Sequence, residues 1–292
     1  MPCLPAPSTK YPVPSIAVRI NNKVMKSMVH SEKYKKLTHI LESMGSVAVA
    51  FSGGVDSSLM IYVAHKILNN KAKAYTINTP YIANWELDEA KEFCRNLNIP
   101  LEIVELPFDK ALLNNPENRC YVCKTILFKK LKEITRKDGY NFVVDGTNYD
   151  DQNDFRPGLK ALAELEIRSP FEEAGITKKE IRDISKHFGL PTWDKPAYAC
   201  LLTRMPHNNT VNPNDLIRIG LAEKFLMDSG FRAVRVRSHN DLARIEVNPE
   251  DIPKLANILL SKKITEKFKQ LGFIYVTLDL EGYRTGSFNP KK

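Results

Sequence analysis

The residues best suited to chemistry stand in one heptapeptide, Ser52, Gly53, Gly54, Val55, Asp56, Ser57 and Ser58. It follows directly on a short, wholly apolar run over residues 47–51. Two adjacent glycines let the backbone turn tightly and bring amides close to a ligand. A helix expected over residues 56–68 would aim its free N–H groups at the same point. Ser52, Ser57 and Ser58 add hydroxyl donors. Asp56 would repel bare phosphate, so a Mg²⁺ ion between the two is the natural inference. The spacing and the missing lysine exclude a Walker A loop, and the string is not a dinucleotide fingerprint. In isolation a Ser-Gly-Gly would read as a capped turn. The strand–turn–helix setting favours a phosphate loop.

A second polar cluster follows the apolar residues 142–144: Asp145, Gly146, Thr147, Asn148, Asp150, Asp151, Asp154, Arg156, Pro157 and Gly158. Ligands of open parallel sheets sit beyond the carboxyl ends of the strands, so this stretch can meet the same pocket. Asp145 suits a metal, and Arg156 could hold a phosphate or carboxylate bidentately. A solvated acidic loop is the plain alternative. Arg119, Cys120, Tyr121, Val122, Cys123 and Lys124 form a CxxC segment before a helix. A redox pair, half a zinc site and iron–sulfur ligands all remain open. Arg119 and Lys124 would lower the thiol pKa values. Cys200, flanked by Lys195 and Arg204, could likewise be a thiolate, or simply a buried cysteine. Cys94 reads as packed and Cys3 as exposed. Arg235 and Arg237 would share one face of a strand and could clamp a phosphate. Arg244, Glu246 and Arg284 are further candidates there, and His239 is a base or a core residue.

The elements that must position these groups alternate. A helix is expected over residues 33–44, with Leu37, Ile40, Leu41 and Met44 on one stripe. Strands are expected over 74–77 and 101–106, and helices over 86–97 and 121–135. Thr177 and Glu180 form a capping box that opens a helix toward Phe188, ended by Gly189 and Pro191. Alternation at this spacing means an α/β parallel sheet covered on both faces. Beyond residue 206 the pattern changes: helix over 214–227, strands over 233–236 and 243–247, a long amphipathic helix over 250–270, and a strand over 273–280. The expected organisation is an arm over residues 1–30, an α/β domain over 31–205 and a smaller α+β domain over 206–292.

Of the 292 residues, 43% are hydrophobic and 26% charged, which excludes a largely disordered chain or a fibrous repeat. A net charge of +9 suggests an anionic partner. Fourteen basic residues against ten acidic ones over 206–292 put +4 of it in the second domain, so it is spread. No apolar run reaches the roughly 18 residues that a membrane span needs. The first fourteen residues do not read as a signal peptide. Five cysteines argue against a disulfide framework and for a cytoplasmic, reducing setting.

The heptapeptide resembles the pyrophosphate loop of the PP-loop ATP pyrophosphatase superfamily, whose members adenylylate a substrate and release pyrophosphate. The resemblance implies that Ser52, Gly53, Gly54, Asp56, Ser57 and Ser58 hold the β,γ-phosphates and Mg²⁺. Thr76, Gly146 and Asn148 would complete the ATP site. The segments RCxxCK, GTNxDD…RPG, WxKPxxxCLxxRxP and GYRxGS, in that order, resemble more specifically the LarE family of ATP-dependent sulfur transferases, over residues 33–289. That likeness implies activation of a carboxylate of pyridinium-3,5-biscarboxylic acid mononucleotide with AMP, then displacement of AMP by sulfur to leave a thiocarboxylate. In the sacrificial branch the cysteine matching Cys200 gives up its own sulfur. In the other branch three cysteines hold a [4Fe–4S] cluster that carries sulfide, and Cys120, Cys123 and Cys200 match that pattern. The expectation is therefore the cluster type, with zinc as the rival metal. Arg156, Arg204, Arg235 and Arg237 would face the substrate. The implied partners are the pyridinium mononucleotide, inorganic sulfide or another sulfur donor, and further copies of the chain in a homo-oligomer, with no nucleic acid and no membrane. A transfer RNA thiolation enzyme would share the loop and the cysteines, but basic and aromatic residues do not cluster into a long groove. An amidating ligase or NAD synthetase leaves the cysteines unexplained. A nucleotide-binding module without catalysis would bind ATP and release no pyrophosphate.

Overall fold

The computed structural model describes residues 31–153 and 157–284. The arm expected over 1–30, Cys3 included, lies outside them. Helix α1 (Glu32–Met44) starts where the Ser31 hydroxyl accepts from the Tyr34 amide at 3.2 Å. It buries Tyr34, Leu37, Leu41 and Met44, the stripe that a 3.6-residue period dictates. Strand β1 (Val47–Ala50) runs into the phosphate loop and helix α2 (Val55–Leu68). Then follow β2 (Ala72–Asn78), α3 (Asn84–Asn96), β3 (Leu101–Glu105), α4 (Arg119–Lys137) and β4 (Phe142–Val144). Short helices α5 (Pro157–Glu164) and α6 (Pro170–Glu173) lead to α7 (Lys178–His187), where the capping box of Thr177 and Glu180 is formed in both directions. The four strands make one parallel sheet in the order β3-β2-β1-β4. Buried side chains cover both faces: Leu37, Leu59 and Ile61 on one, Tyr75, Leu131 and Leu162 on the other.

The second unit begins with α8 (Pro213–Asp228), followed by β5 (Val234–His239) and β6 (Leu242–Val247). Helices α9 (Ile252–Leu255) and α10 (Ile258–Gln270) precede β7 (Tyr275–Leu278). β5 pairs antiparallel with β6, and β6 parallel with β7. The single helix expected over 250–270 is two helices. Its chain restarts at Asn257, whose side chain accepts from the amides of Leu259 and Leu260. An Asn in extended backbone ends one helix and caps the next, although the apolar period runs through it. The core of this unit is shared: Tyr81, Ala83, Trp85, Leu112 and Leu202 of the first unit pack with Leu216, Val236 and Phe268.

Candidate active site

Gly53 has φ +69°, a conformation that only glycine adopts freely, and this throws the loop back over the start of α2. The Ser57 hydroxyl accepts from the Ser52 amide at 3.2 Å and lies 3.1 Å from the Ser52 hydroxyl, so the loop is closed on itself. Ser58 is fully buried and its hydroxyl has no partner; one carboxylate oxygen of Asp56 is also buried and unpaired. Unsatisfied buried polar atoms are costly. Here they fit a Mg²⁺–phosphate group, with Asp56 toward the metal and Ser58 toward a phosphate oxygen. The other Asp56 oxygen holds Lys178, from the first turn of α7. Lys195 completes the cation pair, donating to the Gly53 carbonyl at 2.8 Å and meeting Glu89 at 2.7 Å. Ser52, Gly54, Asp56, Lys178 and Lys195 line a cavity of about 150 Å³ together with Pro196, Ala197 and Tyr198. Glu86 also faces it, and burial lifts its carboxyl to about 7 although Lys195 and Arg204 pull the other way.

The loop after β4 comes down on the same point. A side chain on Gly146 would meet Asp56 Cβ and the Ser57 amide nitrogen, each at 2.9 Å, so the backbones touch here because residue 146 has no Cβ. Asp145 is buried and fully engaged: it accepts from the Thr147 hydroxyl at 2.6 Å and the Ser169 hydroxyl at 2.7 Å. Asn148 donates to Asp151 at 2.9 Å, and Asp150 accepts from the Lys178 amide at 2.8 Å. Thr76 donates to the Phe51 carbonyl at 2.8 Å and ties β2 to the loop. Arg156 lies outside the described residues.

Two contacts bring the cysteine segments together. Asn115, fully buried with φ +44°, donates to the carbonyls of Leu202, Met205 and Pro206 at 3.2, 3.1 and 2.8 Å. Four residues on, Arg119 reaches His207. Cys120 and Cys123 thus stand on the first turn of α4 beside the turn that carries Cys200. Cys120 is exposed; Cys123 and Cys200 are half-buried. Burial pushes the Cys123 thiol up to about 12, with the Tyr81 hydroxyl 3.3 Å away working against the shift. Burial, with Cys120 beside it, also pushes the Cys200 thiol up; Arg119 and Arg204 offset this only in part. The thiolates expected from neighbouring cations therefore do not follow for these two: Lys195 is turned to Gly53, and Arg204 is occupied elsewhere. Among the described residues no group of three or more His, Cys, Asp or Glu side chains is arranged to hold a metal ion. Cys120, Cys123 and Cys200 nevertheless lie near enough to influence one another, and three thiols are a donor set that suits a cluster.

Arg204 is buried against Glu223 at 2.7 Å and donates to the Ala199 carbonyl and the Thr203 hydroxyl. Arg237 is buried against Glu246 at 2.8 Å and donates to the Thr203 carbonyl. Both hold the Cys200 turn from below. Arg235 shares their side of the sheet, donating to the Val234 and Ala197 carbonyls between the rings of Tyr198 and Tyr283. Arg244 meets Glu246 and Asp279, and Arg284 meets Glu281 and Asp279. Burial lowers the His239 pKa.

Residues 38–123 match the asparagine synthase family model. Over 260 residues the chain is 41% identical to an uncharacterized protein of Synechocystis sp., covering 88% of this chain and 97% of that one. It is 34% identical over 260 residues to the pyridinium-3,5-bisthiocarboxylic acid mononucleotide synthase of Lactiplantibacillus plantarum, covering 88% of this chain and 94% of the synthase. The chain belongs to the PP-loop ATP pyrophosphatase superfamily. The chain is also 26% identical over 180 residues to the glutamine-hydrolyzing GMP synthase of Aquifex aeolicus, covering 54% of this chain and 35% of that one. Membership of the PP-loop superfamily makes this an ATP-using enzyme. Among the described residues no helix is long and apolar enough to cross a membrane.

Lys178, Arg182 and Glu86 of the PP-loop cavity carry no signal in the sequence. Lys178 sits in an ordinary capped helix, and Glu86 in an ordinary amphipathic one. Lys195 stood out beside Cys200, yet it points to the phosphate loop.

Proposed function

We propose that the chain is an ATP-dependent sulfur transferase acting on a carboxylate of pyridinium-3,5-biscarboxylic acid mononucleotide, in the cytoplasm. One observation carries this reading. The cavity at the phosphate loop is walled by Pro196, Ala197 and Tyr198, and the chain reaches Cys200 two residues later. A carboxylate activated there would lie beside the thiols. The substrate carboxylate attacks the α-phosphorus of ATP, and pyrophosphate leaves. Sulfur then attacks the acyl carbon and AMP leaves, giving the thiocarboxylate named in the Lactiplantibacillus relative. Ser52, Gly53, Gly54, Asp56, Ser57 and Ser58 hold the phosphates and Mg²⁺, with Thr76, Gly146 and Asn148 shaping the nucleotide site. Cys120, Cys123 and Cys200 handle the sulfur. Arg156 and Arg235 are the arginines proposed to bind the substrate; Arg204 and Arg237 act by fixing the Cys200 turn.

The three thiols are also the ligands that a [4Fe–4S] cluster would need, and the steps above are written without one. The test is a single turnover under anaerobic conditions with ATP, the mononucleotide and sodium hydrosulfide. Pyrophosphate, AMP and the thiocarboxylate are expected in equal amounts. Iron and sulfide analysis, with the intact protein mass, then assigns the sulfur route: a loss equal to H₂S at Cys200 marks self-sacrifice, and an unchanged mass an external sulfur. ATP binding with no substrate-dependent pyrophosphate release would sink the proposal.

A further inference from the structure

Arg204 and Arg237 are buried with a carboxylate each, Glu223 and Glu246. Arg235 has no carboxylate, but carbonyl oxygens and two rings take its donors. Arg119 differs from all three. It is 5% exposed, and among the described residues no carboxylate lies within ion-pair distance of it. Its Nη1 stands 2.8 and 3.0 Å from the two ring nitrogens of His207, and its Nε is buried with no partner. His207 brings no negative charge, since burial and Arg119 both favour its neutral ring. An interior cation without a counter-charge is expensive. Arg119 also opens the nineteen-residue helix α4, whose amino end adds further positive potential. Cys120 is the next residue, and Cys200 is near enough to feel the guanidinium.

We propose that Arg119 and His207 form an anion subsite that receives hydrosulfide and holds it beside Cys120 and Cys200. One unpaired cation suits a small monovalent anion; the phosphates have their own loop, Lys178 and Lys195. The inference rests on the sulfur-transfer reading and names the form in which sulfur enters. The step it serves needs no oxidant. The hydrosulfide sulfur bonds to the acyl carbon of the adenylate, the bond to the AMP oxygen breaks, AMP leaves with the electron pair, and the S–H proton is released to water.

The test uses the full chain, metal-free, reduced and anaerobic, with ¹⁵N-labelled histidine. Sodium hydrosulfide is titrated while the His207 ring signals are followed, a His207→Gln spectrum giving the assignment. A saturable shift is expected in the wild type, weakened at least about ten-fold in Arg119→Gln, as loss of a charged hydrogen bond requires. It should persist in a Cys120→Ser, Cys200→Ser double variant, because the anion and not a resident thiolate is the counter-charge. Thermal unfolding and ATP binding check that each variant folds. A wild-type titration that never saturates overturns the subsite whether or not Arg119→Gln folds. Equal affinity in a folded Arg119→Gln, or loss of the response in the folded double variant, also overturns it. Pyrophosphate release by the wild type, measured separately, reports whether the sulfur-transfer reading itself stands.

Discussion

Replacing Gly146 by alanine tests how the two loops meet. The added methyl would sit 2.9 Å from Asp56 Cβ, 2.9 Å from the Ser57 amide nitrogen and 3.1 Å from the Asp56 carbonyl carbon. Two of these are backbone atoms at the start of α2, which cannot swing aside. The loop after β4 must therefore back away from the phosphate loop by about half an ångström. Overpacking of this kind costs roughly 1–3 kcal/mol. In a chain of this size that lowers Tm by about 2–10 °C. The displacement falls on the Gly146–Asn148 loop that shapes the nucleotide site, so ATP use should fall further than stability does, by about ten- to a hundred-fold in kcat/KM, as small misplacements at reacting groups do. The assays are thermal unfolding by circular dichroism and substrate-dependent pyrophosphate release. Gly175→Ala is the control. Gly175 has φ +72° and open space around its Cα, so that variant should lose about 1 kcal/mol to backbone strain and keep its ATP use. Wild-type Tm and wild-type pyrophosphate release in Gly146→Ala would refute the close contact.

Glu223→Ala should lose about 3–5 kcal/mol in denaturant unfolding, because it strands the buried Arg204 guanidinium. Glu86→Gln should change the pH dependence of stability. The folded protein holds this carboxyl proton up to about pH 7, whereas the unfolded chain releases it near the ordinary carboxylate range. The group's contribution is thus full at acid pH and lost as pH rises toward 7, up to about 3 kcal/mol. Urea titrations at pH 5 to 8 should show that slope in the wild type and a flatter one in the variant. Brief iodoacetamide treatment at mildly alkaline pH, read by peptide mass spectrometry, should modify exposed Cys120 first, while Cys94 and Cys123, both pushed up to about 12 by burial, resist.

The α/β half is legible in the sequence because its signals are local. A buried run ending in Ser-Gly-Gly fixes β1, the turn and α2 together. The Thr177–Glu180 capping box marks the start of α7 to the residue. The α9–α10 break is illegible to periodicity, since the side chain of Asn257 makes it and not any change in the apolar stripe. At the site, period two puts Arg235 and Arg237 on one side of β5, as it should. It cannot see the register that sets Glu246 opposite Arg235 and within reach of Arg237. Lys178 meets Asp56 across 122 residues of chain, and Asn115 meets the Cys200 turn across about 90. Contacts of that span have no sequence period, and they decide which charges stay available for a ligand.

Asn115 has a wider consequence. Its single carboxamide ties the lead-in to α4 to the turn after Cys200, and Tyr81 and Trp85 are walled in by α8 and β5. Cutting the gene between the two units would strip that wall from one fragment and leave the other with half an interior. A recombinant protein ending near residue 205 would then be a sticky, partly molten product, so the smallest piece worth expressing spans both.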